Sequence, residues 1–437
     1  MTATDPRKIQ GKMILIFLFL IMVQCSFSQE SKPAWDLKQC IEYAKKNNIQ
    51  LNTLRLTASS GKQDLLLSKY AKYPDLNGTI SKLFSYSDKT ALNSTAYGIS
   101  SSMVLFKGNY YNNDIRSNAL SLQADNLNVA EAENDIILEI TQAYLNILLA
   151  HENIEYVKNL VSTSESQVEQ YQQKFNSGTV ALKDLKQLQA TLANDKYTLV
   201  QAENAKRQNI LTLKIILQLP SDTTLNIKIP ETMEPVTLVT PLDTVQKTAL
   251  EIMPQIKSSD ILVNKQTVEL AKAKAGYLPT LSLTGSMSTG YISNRSDSYL
   301  DQMSAYYTPQ IGLTLSIPIF SKKANSVAVA KTKISLEQAK LTSQNTRTEL
   351  AQTVEQAYIN VQNAQSQYNA AREQLDYAKE TFRISDEELK IGARNNVEYL
   401  QQKNLYVQAL QQFIQAKYSM ILYLKIYNFY KGIPVTA

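Results

Sequence analysis

The sequence predicts a membrane α+β chain built as an internal duplication. Each copy holds a helix, a β-hairpin, a very long helix and a return helix. Three observations predict this. First, the chain aligns with itself at a shift of 214 residues: Gln142-Ala143-Tyr144 meets Gln356-Ala357-Tyr358, Phe106 meets Phe320, and Gly178 meets Gly392. Upstream the shift is 205, with Pro74 meeting Pro279, so nine extra residues lie between these points in the second copy. Second, apolar residues recur every seven positions over most of each copy, the mark of coiled-coil packing. Third, just before each seven-residue series the period changes to two, the mark of strands.

Composition agrees. Of 437 residues, 44% are apolar and 19% charged, which excludes a disordered or highly charged solvating chain. One His and two Cys argue against a His/Cys zinc site and exclude a scaffold of several disulfides. Twelve Gly and twelve Pro are few for this length and favour uninterrupted helices. Twenty-five Tyr against ten Phe suit residues with one apolar and one wet end. We find no Gly-rich phosphate loop and no Ser/His/Asp or paired-carboxylate signature. The sequence therefore points away from an enzyme and implies neither metal nor cofactor.

The first element is an address. Arg7, Lys8 and Lys12 precede the apolar run Met13 to Val23, and Ser26 and Ser28 follow in a small-x-small pattern. Residues 1–28 read as a signal peptide, with Met13 an alternative start; the apolar run is too short to span a bilayer. Cys25 follows Gln24 rather than the small residue that lipidation favours. Cleavage removes three cations and Asp5, leaving a net charge of +4, too mild to imply nucleic acid.

The first repeat is assigned to 29–216, an irregular inter-repeat link marked by Pro220, Pro230, Pro235 and Pro241 to 217–242, the second repeat to 243–430, and a tail to 431–437. Within the repeats the long helices are placed at about 109–177 and 322–391. In the first, Ile115, Leu122, Val129 and Ile136 are spaced by seven. After one step of four to Ile140 the series resumes through Ile147, Ile154, Val161 and Val168 to Phe175. In the second, Val354, Val361, Tyr368, Leu375, Phe382 and Leu389 repeat the spacing, and Ser343 interrupts it upstream. The step of four is a stutter that relaxes the supercoil. Ile115 to Phe175 alone spans about 90 Å as helix. Each series runs into a Gly, Gly178 or Gly392, and a new apolar series starts at once, giving tight hairpin turns and return helices at about 180–216 and 394–430.

The strand signals fall at about 74–106 and 279–320. The cleanest runs from Tyr307 to Ile319, where Ile311, Leu313, Leu315 and Ile317 alternate with Gln310, Gly312, Thr314 and Ser316. In the first copy Tyr97, Ile99, Met103 and Leu105 form the apolar row, weakened by Ser101 and Val104. The hairpin tips are expected near 87–96 and 292–304. Strands of about ten residues, aromatics clustered at their ends and an exported chain together favour a membrane barrel with Ile311, Leu313, Leu315 and Ile317 facing lipid. Four strands cannot close such a barrel, so several chains must share it: two would give about eight strands and no channel, three about twelve and a lumen.

With these features the sequence resembles the TolC-type outer-membrane efflux family. The opening Asp36-Leu37-Lys38-Gln39-Cys40-Ile41-Glu42-Tyr43-Ala44 carries the resemblance, with Tyr73-Pro74, Leu278-Pro279 and Ile317-Pro318-Ile319-Phe320. So do the two Gln-Ala-Tyr repeats, and the Gly turns followed by Asp184-Leu185 and Tyr399-Leu400. The resemblance covers the whole mature chain. It implies a homotrimer with a shared twelve-stranded β-barrel in outer-membrane lipid, four strands per chain. A long periplasmic α-helical coiled-coil tunnel would continue the barrel. It also implies a passive gated exit duct of a tripartite efflux or type I secretion system, working with a periplasmic adaptor protein and an inner-membrane transporter. The alternative is a secreted coiled-coil tether without a lumen, which would need no alternating strands.

The resemblance also places a periplasmic aperture at the turn glycines. Asp184 and Arg394 match the family's linking acid and base. Glu398 matches an acidic ring residue; Gln401 replaces a second acid, and Leu389 a linking Tyr. His151 is expected at the surface and Cys40 in the core of the first helix.

Overall fold

The duplication is written into the element boundaries of the computed structural model, which describes residues 34–87, 90–230 and 240–435. The first copy comprises α1 (Leu37–Asn47), α2 (Ile49–Tyr70), β1 (Asn77–Ser87), β2 (Thr90–Lys107), α3 (Tyr110–Asn176) and α4 (Leu182–Leu217). The second comprises α5 (Leu242–Ile252), α6 (Pro254–Lys274), β3 (Thr280–Ile292), α7 (Tyr299–Ala305), β4 (Thr308–Ser316), α8 (Ala324–Lys390) and α9 (Asn396–Tyr430). α1 and α5 start 205 residues apart, as do α2 and α6; α3 and α8 start 214 apart, as do α4 and α9. α3 and α8 are each 67 residues, about 100 Å of helix. The expected signal peptide and Cys25 lie outside the described residues, as does Pro235.

Local chemistry explains the breaks. Asp36 caps α1 in a reciprocal box: its Oδ1 accepts from the Gln39 amide at 2.8 Å, and Gln39 Oε1 accepts from the Asp36 amide at 3.0 Å. Where the sequence suggested one helix before each hairpin there are two. Asn48 ends α1 and caps α2 through the Leu51 amide at 3.1 Å, and Pro254 sits at the first turn of α6. The link is pinned to the first repeat: Trp35 pairs with Ile227 in an isolated bridge, and Tyr144 Oη donates to the Lys228 carbonyl at 2.6 Å.

α3 has its four-residue step where it is buried from several sides. Ile140, Ala143, Tyr144, Leu145, Ile147 and Leu148 are all buried there, packed with Leu37 and Cys40 of α1, Leu213 and Leu217 of α4, and Ile421 of α9. A helix apolar all round is buried all round, which a strict seven-residue stripe cannot supply. His151 just beyond is half-buried, with Nδ1 3.2 Å from Lys206 Nζ; burial first, then Lys206, lowers its pKa.

The strands form one antiparallel sheet in the order β1-β2-β3-β4. Its register sorts the two faces over β2–β4, whereas in β1 Lys82, opposite Thr95, shares the face of Ile80, and Leu83, opposite Ser94, lies on the other. Along one face Ile80 lies opposite Tyr97, Ile99 opposite Met287, Met103 opposite Leu283, and Leu283 opposite Leu313. Along the other, Ser100 meets Ser286, Ser102 meets Thr284, Ser286 meets Gln310, and Ser282 meets Thr314. The apolar face is bare in the single chain: Ile311 is 88% exposed and Leu313 65%. A bulge between Val104 and Phe106 sets Phe106 opposite Leu281, on the apolar face. Leu105 is the residue the bulge takes out of the ladder, whereas Ser101, opposite Gly285 on the apolar face, and Val104, opposite Ser282 on the other, interrupt the alternation in register.

Three strand expectations change. β2 begins at Thr90, paired to Ser87, so the first tip is tighter than 87–96; Asn93, Ser94 and Thr95 read as loop but are ladder residues. The second tip contains α7, capped by Ser298 through the Asp301 amide, and the extra residues of the second copy fall there. Ile317 lies one residue past β4, because Pro318 has no amide to continue the ladder.

Candidate aperture at the hairpin turns

Both long helices stop by the same chemistry. Gly178 has φ +74° and Gly392 φ +78°, and a Cβ on either would meet nothing within 4 Å. Left-handed backbone, not close packing, is what calls for Gly here. Around each turn the two hydrogen bonds of a Schellman cap form. Thr179 donates to the Lys174 carbonyl at 2.9 Å and Gly178 to Phe175 at 2.9 Å. Ala393 donates to Glu388 at 2.9 Å and Gly392 to Leu389 at 3.2 Å.

Asp184 and Glu398 occupy equivalent places in the first turns of α4 and α9, where a carboxylate meets the positive end of the helix. Asn395 caps α9, accepting from the Glu398 amide at 2.9 Å and donating its own side-chain amide to Glu398 Oε1 at 2.9 Å. Arg394 Nε lies 2.5 Å from Glu388 Oε2, and its Nη1 3.9 Å from Glu398 Oε2. The chain thus brings Arg394 to Glu398 but not to Asp184. Asp184 is half-buried and makes no ion pair among the described residues; its charge and, first, burial raise the pKa of Tyr171. Gln401 is exposed. Leu389 is buried in an apolar cluster with Tyr171, Leu185, Leu188, Tyr399 and Leu400, which joins the ends of the two hairpins.

Sequence reasoning missed two groups. Glu388, one turn before Gly392, is the base's actual partner within the chain. Higher up, Lys403 of α9 lies 2.9 Å from Asp195 of α4 and 2.5 Å from Ser164 of α3, and Ser164 Oγ lies 2.5 Å from Asp195 Oδ2. All three are buried. The signal was present: Lys403 stands three residues after Leu400 and four before Val407, and Asp195 likewise between Leu192 and Leu199. Each charge occupies a core position of its series.

Residues 40–217 and 245–422 match the family model described as outer membrane efflux protein. The chain belongs to the outer membrane efflux protein family. Its relatives include the outer membrane efflux protein BepC of Brucella suis biovar 1, 21% identical over 385 residues that cover 87% of this chain and 81% of BepC. The outer membrane protein TolC of Vibrio cholerae is 23% identical over 416 residues, 93% of each chain. Among solved structures, the MtrE outer membrane channel of Neisseria gonorrhoeae superposes with a TM-score of 0.76 at 18% identity, covering 91% of this chain and 88% of MtrE.

Membership fixes the meaning of the open sheet. Bare strand edges are not tolerated in lipid. The four strands are one chain's share of a trimeric twelve-stranded β-barrel, continued by the α-helical coiled-coil tunnel. This efflux protein sits in the Gram-negative outer membrane with its tunnel in the periplasm. The family is one of channels rather than enzymes.

Proposed function

We propose that the chain is a passive, gated exit duct of a tripartite efflux or type I secretion system. It carries small molecules or proteins outward from a periplasmic adaptor and an inner-membrane pump. The observation that carries this reading is the sorted sheet joined end to end with two helical hairpins. One face suits lipid, the other an uncharged wet lumen of Ser, Thr and Gln, and α3 and α8 extend the duct by about 100 Å. Ile311, Leu313, Leu315 and Ile317 form the lipid-facing row.

The gate is at the hairpin turns. Arg394 holds the end of α8 to the start of α9 through Glu388 and Glu398, and Asp184, without an ion pair among the described residues, is free for the Arg394 of a neighbouring copy. Glu398 lines the opening and favours cations, weakly, because Arg394 stands beside each one and Gln401 adds no charge. A strain lacking the chain should retain an amphipathic dye that the parent strain expels, and returning the chain should restore expulsion. Equal retention in all three strains would remove the efflux reading.

A further inference from the structure

The seam between the two hairpins is made by α9 lying against α3 and α4, and it is layered. At the turns it is apolar, closed by Tyr171, Leu185, Leu188, Leu389, Tyr399 and Leu400. Nearer the membrane it is apolar again, where Ile414, Tyr418 and Ile421 pack into the core around α3. Between these lies a polar layer, about 16 Å along α9 from Gly392 at Lys403. There Lys403, 1% exposed, binds Asp195 and Ser164, and Gln167 Nε2 donates to Tyr399 Oη. The layer is not fully satisfied: among the described residues Gln167 Oε1 is buried without a hydrogen-bond partner, as are, nearer the turn at the start of α9, both amide atoms of Asn396.

The duplication sharpens the point. At a shift of 214, Ser164, Asp195 and Lys403 correspond to Ala378, Ala409 and Gln189. The duplicated positions therefore carry no equivalent of the buried Lys403–Asp195 pair.

We propose that this polar layer makes the seam within each chain the one that hydrates and parts first when the aperture dilates. The inference rests on the aperture reading above. Separating apolar helices exposes surface to water at full cost. Separating a buried ion pair returns both charges to water, which offsets much of the lost attraction, and it gives stranded amides their missing partners. A seam with such a layer is closed when dry yet opens at lower cost than one packed throughout with apolar side chains.

The test is single-channel recording on assembled trimers in a planar bilayer, with melting measured separately. Lys403→Met leaves Asp195 buried and unpaired and should raise the frequency of opening about tenfold. The double variant Asp195→Leu/Lys403→Met removes both charges, should assemble at least as well as the native chain, and should open about tenfold less often than it. If the polar layer only pins the register of α9, melting moves while the double variant opens as the native chain does, and the inference is overturned. Should Lys403→Met fail to assemble, the double variant decides alone. Arg394→Ala serves as the reference. If it raises the currents while the double variant matches the native chain, only this inference falls. If it also leaves the currents unchanged, the aperture reading fails and takes the inference with it.

Discussion

Leu283 and Leu313 stand opposite each other on β3 and β4, on the apolar face of a sheet whose other face pairs Ser282 with Thr314. On the proposed reading, one residue of sequence thus separates a lipid-facing position from a lumen-facing one.

Leu313→Arg should therefore weaken assembly by about 2–4 kcal/mol, the cost of a cation near the bilayer midplane. Thr314→Arg, its chain neighbour on the hydroxyl face, should assemble normally and lower cation permeability. The yield of trimer from membranes checks both. Equal yields from the two variants would contradict the assignment of the faces.

The joins between sheet and long helix differ between the copies. Gly108 and Asn109 take φ +57° and +62°, and their counterparts Lys322 and Lys323 take φ +49° and +66°. Gly and Asn accept left-handed backbone, and Lys does so at a cost of about 1–2 kcal/mol. Lys322→Gly with Lys323→Asn, which copies the first join into the second, should raise the melting temperature and stabilise the chain by about 1 kcal/mol or more. A lowered melting temperature would show that the two lysines hold this join by other means.

Cys40 is fully buried in α1, and burial first, then the charge of Asp36, pushes its thiol up to about 12 from 9.0. Only the thiolate reacts. A thiol reagent at pH 8 should leave Cys40 unlabelled in the native trimer and label it after denaturation, as read by mass spectrometry. Because the folded value lies above the unfolded one, this contribution to stability is fully present below pH 9 and is lost as pH rises through about 12. Melting should fall across that alkaline window. Rapid labelling of the native trimer would place Cys40 outside the core.

The sequence made the long-range plan legible because that plan is periodic. Seven-residue spacing located α3 and α8, Gly178 and Gly392 located their ends, and the alternation through Leu313 located β4. What escaped was local or cross-chain. Asn48 divides α1 from α2 with a single side-chain cap, too small a signal to separate from a continuous helix. α7 is capped by Ser298 with Asp301 three residues on, a short capped turn that reads as loop. Arg394 was matched to Asp184 by resemblance, whereas within the chain it faces Glu388, whose approach depends on how the Gly392 turn folds back. Lys403 and Asp195 were visible as charges at core positions, but their meeting depends on three helices converging.

The Arg394 contacts carry the central claim, that the duct is closed at its hairpin turns. Arg394 and Glu388 are partly exposed, so the pair contributes at most about 1 kcal/mol per chain; on the proposed reading three copies acting together would bias the aperture by about 1–3 kcal/mol. The most direct measurement is single-channel conductance of the purified mature trimer in a planar bilayer, native against Arg394→Ala. The account predicts small native currents that rise in the variant. Currents unchanged by the substitution, or none from either protein despite confirmed insertion, would contradict it.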